Sequence, residues 1–251
     1  MNKTSWIIGG SSGIGAALAL ELSKTGESVC ISSSNTYSLE RKAKEISKLT
    51  DNEIHYVKAD VSSYDELSQA AQEITAKYKK IDRVIFMAGI YEPMETEHMD
   101  PVLTAKIIEV NLTGAFNAVN CVLPIIRQQG FGQIAICASL SGYIGLPNAQ
   151  PYASTKAALI SFTETLRIDL INKVDIKLIN PGFVSTRLTD KNSFKMPGLM
   201  TPKEAAVLIC KGLNSRKFEI HFPKKLSLVL KAISLLPYSI SSVFLRILKL
   251  K

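Results

Sequence analysis

The residues from Trp6 to Leu22 constrain the fold more than any other stretch. Trp6-Ile7-Ile8 is a short apolar run that suits a buried strand. It passes through Gly9-Gly10-Ser11-Ser12-Gly13-Ile14-Gly15 into Ala16-Ala17-Leu18-Ala19-Leu20-Glu21-Leu22, a strong helix former. Strand, glycine turn and helix in that order is the setting in which a glycine fingerprint carries meaning. Glycines let the backbone turn tightly and approach a pyrophosphate. The helix N-terminus then offers unpaired N–H groups and the positive end of its dipole. Gly9, Ser11, Ser12, Gly13, Ile14 and Gly15 are therefore candidate phosphate-binding residues. The bland alternative is an ordinary Gly-Ser loop.

The same alternation continues along the chain. Apolar runs at 28–31, 54–57, 83–87, 133–137, 175–179 and 218–220 read as strands. Helical patterns cover about 38–49, 64–78, 101–128, 152–171 and 202–213. Strands and helices in strict alternation imply an α/β domain with a parallel sheet. With 251 residues, one catalytic domain over residues 1–222 is expected, followed by an extension over residues 223–251. A domain of that size buries enough surface to need no disulfide or metal staple. Cys30, Cys121, Cys137 and Cys210 each sit in an apolar run and none forms a CxxC pair, so all four read as reduced core residues of a cytoplasmic protein. His55, His98 and His221 are far apart in sequence, and no metal site is expected. Met1 to Trp6 lead straight into a strand, which argues against a signal peptide.

In an open parallel sheet, ligands bind outside the carboxyl ends of the strands, so those ends hold the chemistry. An acid after the second strand would grip the ribose 2′-hydroxyl of NAD and repel a 2′-phosphate. Ser32-Ser33-Ser34-Asn35 stands there instead, and no acid appears before Glu40. Ser33 and Ser34 therefore favour NADP, with NAD as the alternative, unless the serines only cap the next helix. Asp60-Val61 follows the third strand, placed either to contact an adenine or to cap a helix. Ala88-Gly89 is a turn where backbone can approach a cofactor. Asn111 lies inside an apolar helix, where both its propensity and its burial are unfavourable. Ser139 ends the fifth strand. Tyr152 and Lys156 are four apart, one turn along one helix face. A free phenol has a pKa of roughly 10. A nearby ammonium pulls that value toward neutrality and makes the tyrosine a proton donor and acceptor.

Together these residues resemble the classical short-chain dehydrogenase/reductase family over roughly residues 4 to 222. Gly9, Gly13 and Gly15 fit its glycine pattern. Asn111, Ser139, Tyr152 and Lys156 occupy the places of its catalytic four, with Ser139 thirteen residues before Tyr152. Pro181-Gly182, with Val184 and Thr186, matches the segment that packs on the nicotinamide. The resemblance implies a doubly wound (Rossmann-like) parallel seven-stranded sheet with helices on both faces. It implies hydride transfer between NADP(H) and a carbonyl/alcohol substrate. Tyr152 passes the proton, Lys156 holds the ribose and lowers the Tyr152 pKa, Ser139 bonds the substrate oxygen, and Asn111 positions a water. It also implies a dimer or tetramer. Two places depart from the pattern. Ile8 replaces a Thr at the cofactor turn, and Phe86-Met87 replaces Asn-Asn before Ala88-Gly89; those family side chains brace the adenosine side of the site. An NAD-dependent alcohol dehydrogenase and a non-catalytic nucleotide-binding or membrane-associated scaffold are the competing readings. Four intact catalytic positions weigh against the scaffold.

The net charge of +8 is uneven. Six cations and no acid lie within residues 223–251, leaving +2 for the rest, so a nucleic-acid partner is poorly motivated. Leu226, Val229, Leu230 and Ile233 form one helical stripe, and Ile240, Val243, Phe244, Ile247 and Leu248 another, with Pro237 between them. The longest uncharged run of this extension, Ala232 to Leu245, is fourteen residues, short of the about 20 needed to span a bilayer. Two basic amphipathic helices suit peripheral contact with a membrane through residues 224–251, an apolar substrate mouth, or packing on the body. The segment from Arg187 to Met200 has no period, and its Phe194, Met196, Leu199 and Met200 suit a lid over an apolar, lipid-derived substrate.

Overall fold

Every residue of the first strand is buried, because helices cover both faces of the sheet in which it lies. The computed structural model describes residues 2–249, and side chains as far as residue 245. In chain order the elements are β1 (Thr4–Ile8), α1 (Gly13–Lys24), β2 (Ser28–Ser33), α2 (Thr36–Thr50), β3 (His55–Lys58), α3 (Tyr64–Tyr78) and β4 (Arg83–Phe86). There follow α4 (Pro101–Ile108), α5 (Gly114–Gln129), β5 (Gln133–Cys137), α6 (Tyr152–Asp169), β6 (Asp175–Pro181), α7 (Pro202–Leu213), β7 (Glu219–Phe222), α8 (Lys224–Ser234) and α9 (Tyr238–Lys249).

The seven strands lie in the order β3-β2-β1-β4-β5-β6-β7, all parallel. The order reverses between β1 and β4, which is the switch point where such sheets open a crevice at their carboxyl ends. Alternate residues of each strand feed two cores. Trp6 and Ile8 join α3, α5 and α6 on one face. Ile7 joins α1, α2 and α7 on the other.

The fourth helix differs from the expectation. The predicted single helix over 101–128 is interrupted: Glu109–Thr113 makes a π-helical turn between α4 and α5. The extra residue turns Asn111 inward, where it is fully buried. Single π turns inside helices recur at functional sites. The cysteines also divide. Cys30, Cys121 and Cys137 are buried, whereas Cys210 is only half-buried, and all four are free thiols. In the tail, α8 and α9 are separate helices on either side of Pro237, as its lost N–H demands. In α8, Leu226 and Ile233 of the expected stripe are half-buried. Leu230 and Ser227 are buried in α8 and Ser241 in α9, while Val229, Ile240, Val243 and Phe244 are exposed. The side chains of Ile247 and Leu248 lie outside the described residues.

Candidate active site

The turn from β1 into α1 is built at backbone contact. Gly9 has φ +92°, and a Cβ on it would lie 2.6 Å from the Ala88 nitrogen. A Cβ on Gly15 would lie 2.3 Å from the Gly9 carbonyl oxygen. Only glycine fits either place. Gly9 and Gly10 donate their N–H groups to the Ser32 carbonyl at 2.8 and 3.1 Å, which pins the turn to β2. The N–H groups of Gly13, Ile14 and Gly15 have no acceptor among the described residues, and the Ser12 side chain makes no capping bond. Unpaired donors at a helix N-terminus fit a pyrophosphate. Thr186 comes to this same cradle from the other half of the sheet: a Cβ on Gly13 would stop 3.3 Å from its methyl carbon.

The remaining candidate cofactor residues all lie at the carboxyl edge. Ser33 ends β2, and Ser34 is exposed beside it. Neither caps α2; Asn35 does, accepting from the Ser38 N–H at 2.9 Å. Arg41 stands 6.0 Å from the Tyr37 ring centre and Lys42 pairs with Glu45 at 2.6 Å, so neither reaches back as a clamp. Asp60 does not cap α3 either. Ser63 holds that place, while Asp60 Oδ1 accepts from the Ser62 N–H. Val61 is buried against Gly114 of α5. Ala88 and Gly89 follow β4. Pro181 ends β6, Gly182 donates to the Phe222 carbonyl at 2.7 Å, and Val184 is buried. At the two departures from the family pattern, Ile8 and Phe86 are opposed in the sheet and buried in one core, and Met87 N donates to the Ile8 carbonyl at 2.8 Å. Apolar packing and a backbone bond brace this loop.

Asn111, Ser139, Tyr152 and Lys156 meet at the ends of β4 and β5. Tyr152 opens α6 and Lys156 stands one turn on, its Nζ 5.4 Å from the Tyr152 ring centre. Lys156 is 3% exposed and donates to the Cys137 carbonyl at 2.8 Å. Asn111 Oδ1 accepts from the Ile90 N–H at 2.7 Å, and its Nδ2 donates to the Ile90 carbonyl at 2.9 Å and to Thr155 Oγ1 at 3.3 Å. A Cβ on Gly89 would sit 3.4 Å from Asn111 Oδ1 and 3.7 Å from Lys156 Nζ, so both side chains converge on that turn. The Ser139 hydroxyl accepts from Ser141 Oγ at 3.0 Å and donates to the Pro181 carbonyl at 3.4 Å.

The electrostatics correct one expectation. Burial is the largest influence on the Tyr152 phenol and raises its pKa; Cys137 and Tyr91 add to the rise and the Ser139 hydroxyl opposes it. The downward pull expected from Lys156 is not among the causes. Lys156 is itself lowered, chiefly by burial. Burial thus favours the neutral form of both groups.

Tyr91 was not singled out by sequence. Its ring meets the Tyr152 ring edge-on with centres 5.0 Å apart, and its hydroxyl donates to Asn192 Oδ1 at 2.9 Å. It therefore joins the central tyrosine to the 187–200 segment. Lys191 and Glu92 form a second tie between the same loops. Phe194 packs edge-on against Phe183 with centres 5.7 Å apart. The available signal was a lone aromatic two residues after Gly89, too little to separate it from other loop tyrosines.

The comparisons with known proteins agree with this geometry. A family profile described as "short chain dehydrogenase" matches residues 3–196. An uncharacterized oxidoreductase of Myxococcus xanthus is 30% identical over 242 residues, covering 94% of this chain and 93% of that protein. The 11-beta-hydroxysteroid dehydrogenase 1A of Arabidopsis thaliana is 29% identical over 197 residues, 78% of this chain and 56% of the relative. Among solved structures, a short chain dehydrogenase/reductase from Burkholderia phymatum in complex with NAD superposes with TM-score 0.85 at 22% identity, covering 92% of each chain. A variant of actinorhodin polyketide ketoreductase with NADPH gives TM-score 0.81 at 22% identity, covering 90% of this chain and 97% of that one. At those identities the structural likeness establishes the fold.

Proposed function

The chain belongs to the short chain dehydrogenase family, and within it we propose an NADP-preferring carbonyl reductase with Tyr152 as its proton donor. Membership makes it an oxidoreductase with a dinucleotide-binding fold. The observation that carries the finer reading is the convergence of Asn111, Ser139, Tyr152 and Lys156 beside a cradle of unpaired N–H groups. Gly9 through Gly15 would hold the pyrophosphate. Ser33 and Ser34 would meet the adenosine ribose, with Asp60 and Val61 at the adenine. Ala88, Gly89, Pro181, Gly182, Val184 and Thr186 would flank the nicotinamide end. When bound, the reduced nicotinamide supplies a hydride.

The rest of the chemistry belongs to this chain. Ser139 donates a hydrogen bond to the substrate oxygen. Tyr152 Oη gives that oxygen its proton. Burial keeps the phenol protonated at neutral pH but makes it a weaker acid, so donation depends on how well the phenolate it leaves is stabilised. Once the phenolate forms, a charged Lys156, its Nζ 5.4 Å from the ring centre, would stabilise it, a pull the resting site does not show. Lys156 has a lowered pKa and so releases its own proton readily. Asn111, held from both sides by Ile90, orders the water that reconnects Lys156 with solvent.

NADP preference rests on the serines after β2 and the absence of an acid beside them; the nearest, Glu40, pairs with Lys44. Because Arg41 and Lys42 are engaged elsewhere, an NAD-dependent alcohol dehydrogenase stays as the second reading. An apolar substrate is supported by Phe183 against Phe194 and by the exposed Leu199. The Arabidopsis relative, too, is named for a hydroxysteroid. Residues 1–222 form the catalytic domain and residues 223–251 its extension. The protein works in the cytoplasm as a dimer or tetramer. Thermal melts across NADPH and NADH titrations test the cofactor. At a hundredfold excess over Kd the preferred one should stabilise the fold by about 2.7 kcal/mol. A larger response to NADH supports the second reading. No response to either overturns the reductase.

A further inference from the structure

The tail presents apolar side chains to solvent on two consecutive helices. In α8 and at its C-cap, Leu228, Val229 and Leu235 are exposed, and positions 228, 232 and 235 follow one helical face. Leu230 and Ser227, on the opposite side, are buried against the body. In α9, Ile240, Val243 and Phe244 repeat the pattern at i, i+3 and i+4. Leu235 keeps 86% of its surface open. Such a concentration of apolar side chains between residues 228 and 244 exceeds the scattered exposure normal for a protein surface.

The charge of this region selects the occupant. Residues 223–251 contain six cations and no acid. Lys231 is neutralised by Glu219 of β7. Lys224 and Lys225 are exposed and make no ion pair among the described residues. Burial lowers the Lys224 pKa, the neighbouring Lys217 and Lys231 lower it further, and Glu219 opposes them. A second copy packed on this face by two-fold symmetry would set lysines against lysines. An anionic lipid surface would accept both the apolar stripes and the lysines. No helix among the described residues is long and apolar enough to cross a membrane.

We infer that α8 and α9 form a docking face for an anionic lipid surface, on which the protein lies without spanning it. The face adjoins the lid. Pro223, which starts α8, sits where a Cβ on Gly198 or on Gly182 would meet it at 2.8 Å. Docking would therefore hold the Arg187–Met200 segment beside the lipid. The inference needs no turnover, so it stands apart from the reductase reading.

Flotation of the full chain, without cofactor, on vesicles of phosphatidylcholine alone or with phosphatidylserine tests it. The chain should float with the mixed vesicles and stay below with phosphatidylcholine alone. Binding should fall at about 1 M salt, where the screening length is about 3 Å. Lys224→Gln and Lys225→Gln should each weaken it by about fivefold. The triple variant Leu228→Ser/Val229→Ser/Phe244→Ser should abolish it and keep the wild-type melting temperature. Ile168→Ser, exposed on α6, should change nothing. Failure to float, or flotation undiminished in the triple variant, overturns the inference. So does a wild-type dimer that the triple variant splits into monomers, since a second copy would then be the occupant.

Discussion

The two ends of the sheet bury cations in opposite ways. At the amino end, Arg83 is 3% exposed, yet it meets Glu27 at 3.1 Å, Gln133 at 2.6 Å and Asn214 at 3.0 Å. Lys177, 2% exposed, meets Asp175 at 3.1 Å and the carbonyls of Ser215 and Lys217 at 2.7 and 3.0 Å. At the carboxyl end, Lys156 is as deeply buried but has one backbone carbonyl and no carboxylate partner among the described residues. Taking an ammonium out of water is costly unless an opposite charge compensates it. The amino end meets that cost and ties strands together. The carboxyl end leaves it standing, which lowers the Lys156 pKa.

The contrast breaks most directly at Lys156. Lys156→Met should cut kcat/KM by about 10²- to 10⁴-fold, the range for lost proton-transfer assistance. Its melting temperature should hold or rise, because an under-compensated charge leaves the interior. A variant that unfolds early would show that Lys156 serves stability as Arg83 does. Arg83→Met should do the reverse, losing about 3–5 kcal/mol by stranding Glu27, with kcat per folded molecule unchanged. Urea titration beside turnover at low temperature separates the two effects. If Arg83→Met retains wild-type stability, the amino-end network contributes nothing to holding the strands together.

Asn111→Ala is a smaller perturbation. It leaves the half-buried N–H and carbonyl of Ile90 without their side-chain partner, at a cost of about 1 kcal/mol. Hydrogen exchange at Ile90 should rise more than at β5, and equal protection would contradict the brace. The smallest effect is in pH. A lysine whose folded pKa lies below its unfolded value destabilises fully at low pH, where both states are charged. That penalty fades as pH rises through the folded pKa toward about 10.4. The stability advantage of Lys156→Met over the parent should therefore shrink with rising pH, as paired denaturant melts at each pH would register. A constant gap would mean that Lys156 titrates as in water.

Much of the carboxyl end was legible in sequence. Tyr152 and Lys156 lie on one helix, so a spacing of four fixes their mutual placement before any tertiary contact forms. Gly9 and Gly15 announce a close backbone approach by lacking a side chain. Asn111 signalled itself as a polar residue in an apolar run, but its π turn did not, because no local pattern reports one extra residue in a helix. Tyr91 was silent for a different reason: its partners, Tyr152 and Asn192, are distant in sequence. The tail stripes left the packing open, because an apolar helical face says which residues share a side and not which side meets the body. The buried Ser227 and Ser241, and the pairing of Lys231 with Glu219, decided that.

Sequence by itself determined the alternating α/β rhythm, the glycine cradle and the helical Tyr152–Lys156 pair, since each depends on residues a few positions apart and on backbone rules that hold locally. Only the tertiary structure decided how deeply Tyr152 and Lys156 are buried, and hence that desolvation is the largest influence on both groups. It also decided which face of α8 and α9 looks outward. Desolvation depends on every atom that packs around a group, and those atoms come from strands and helices brought together from the whole length of the chain.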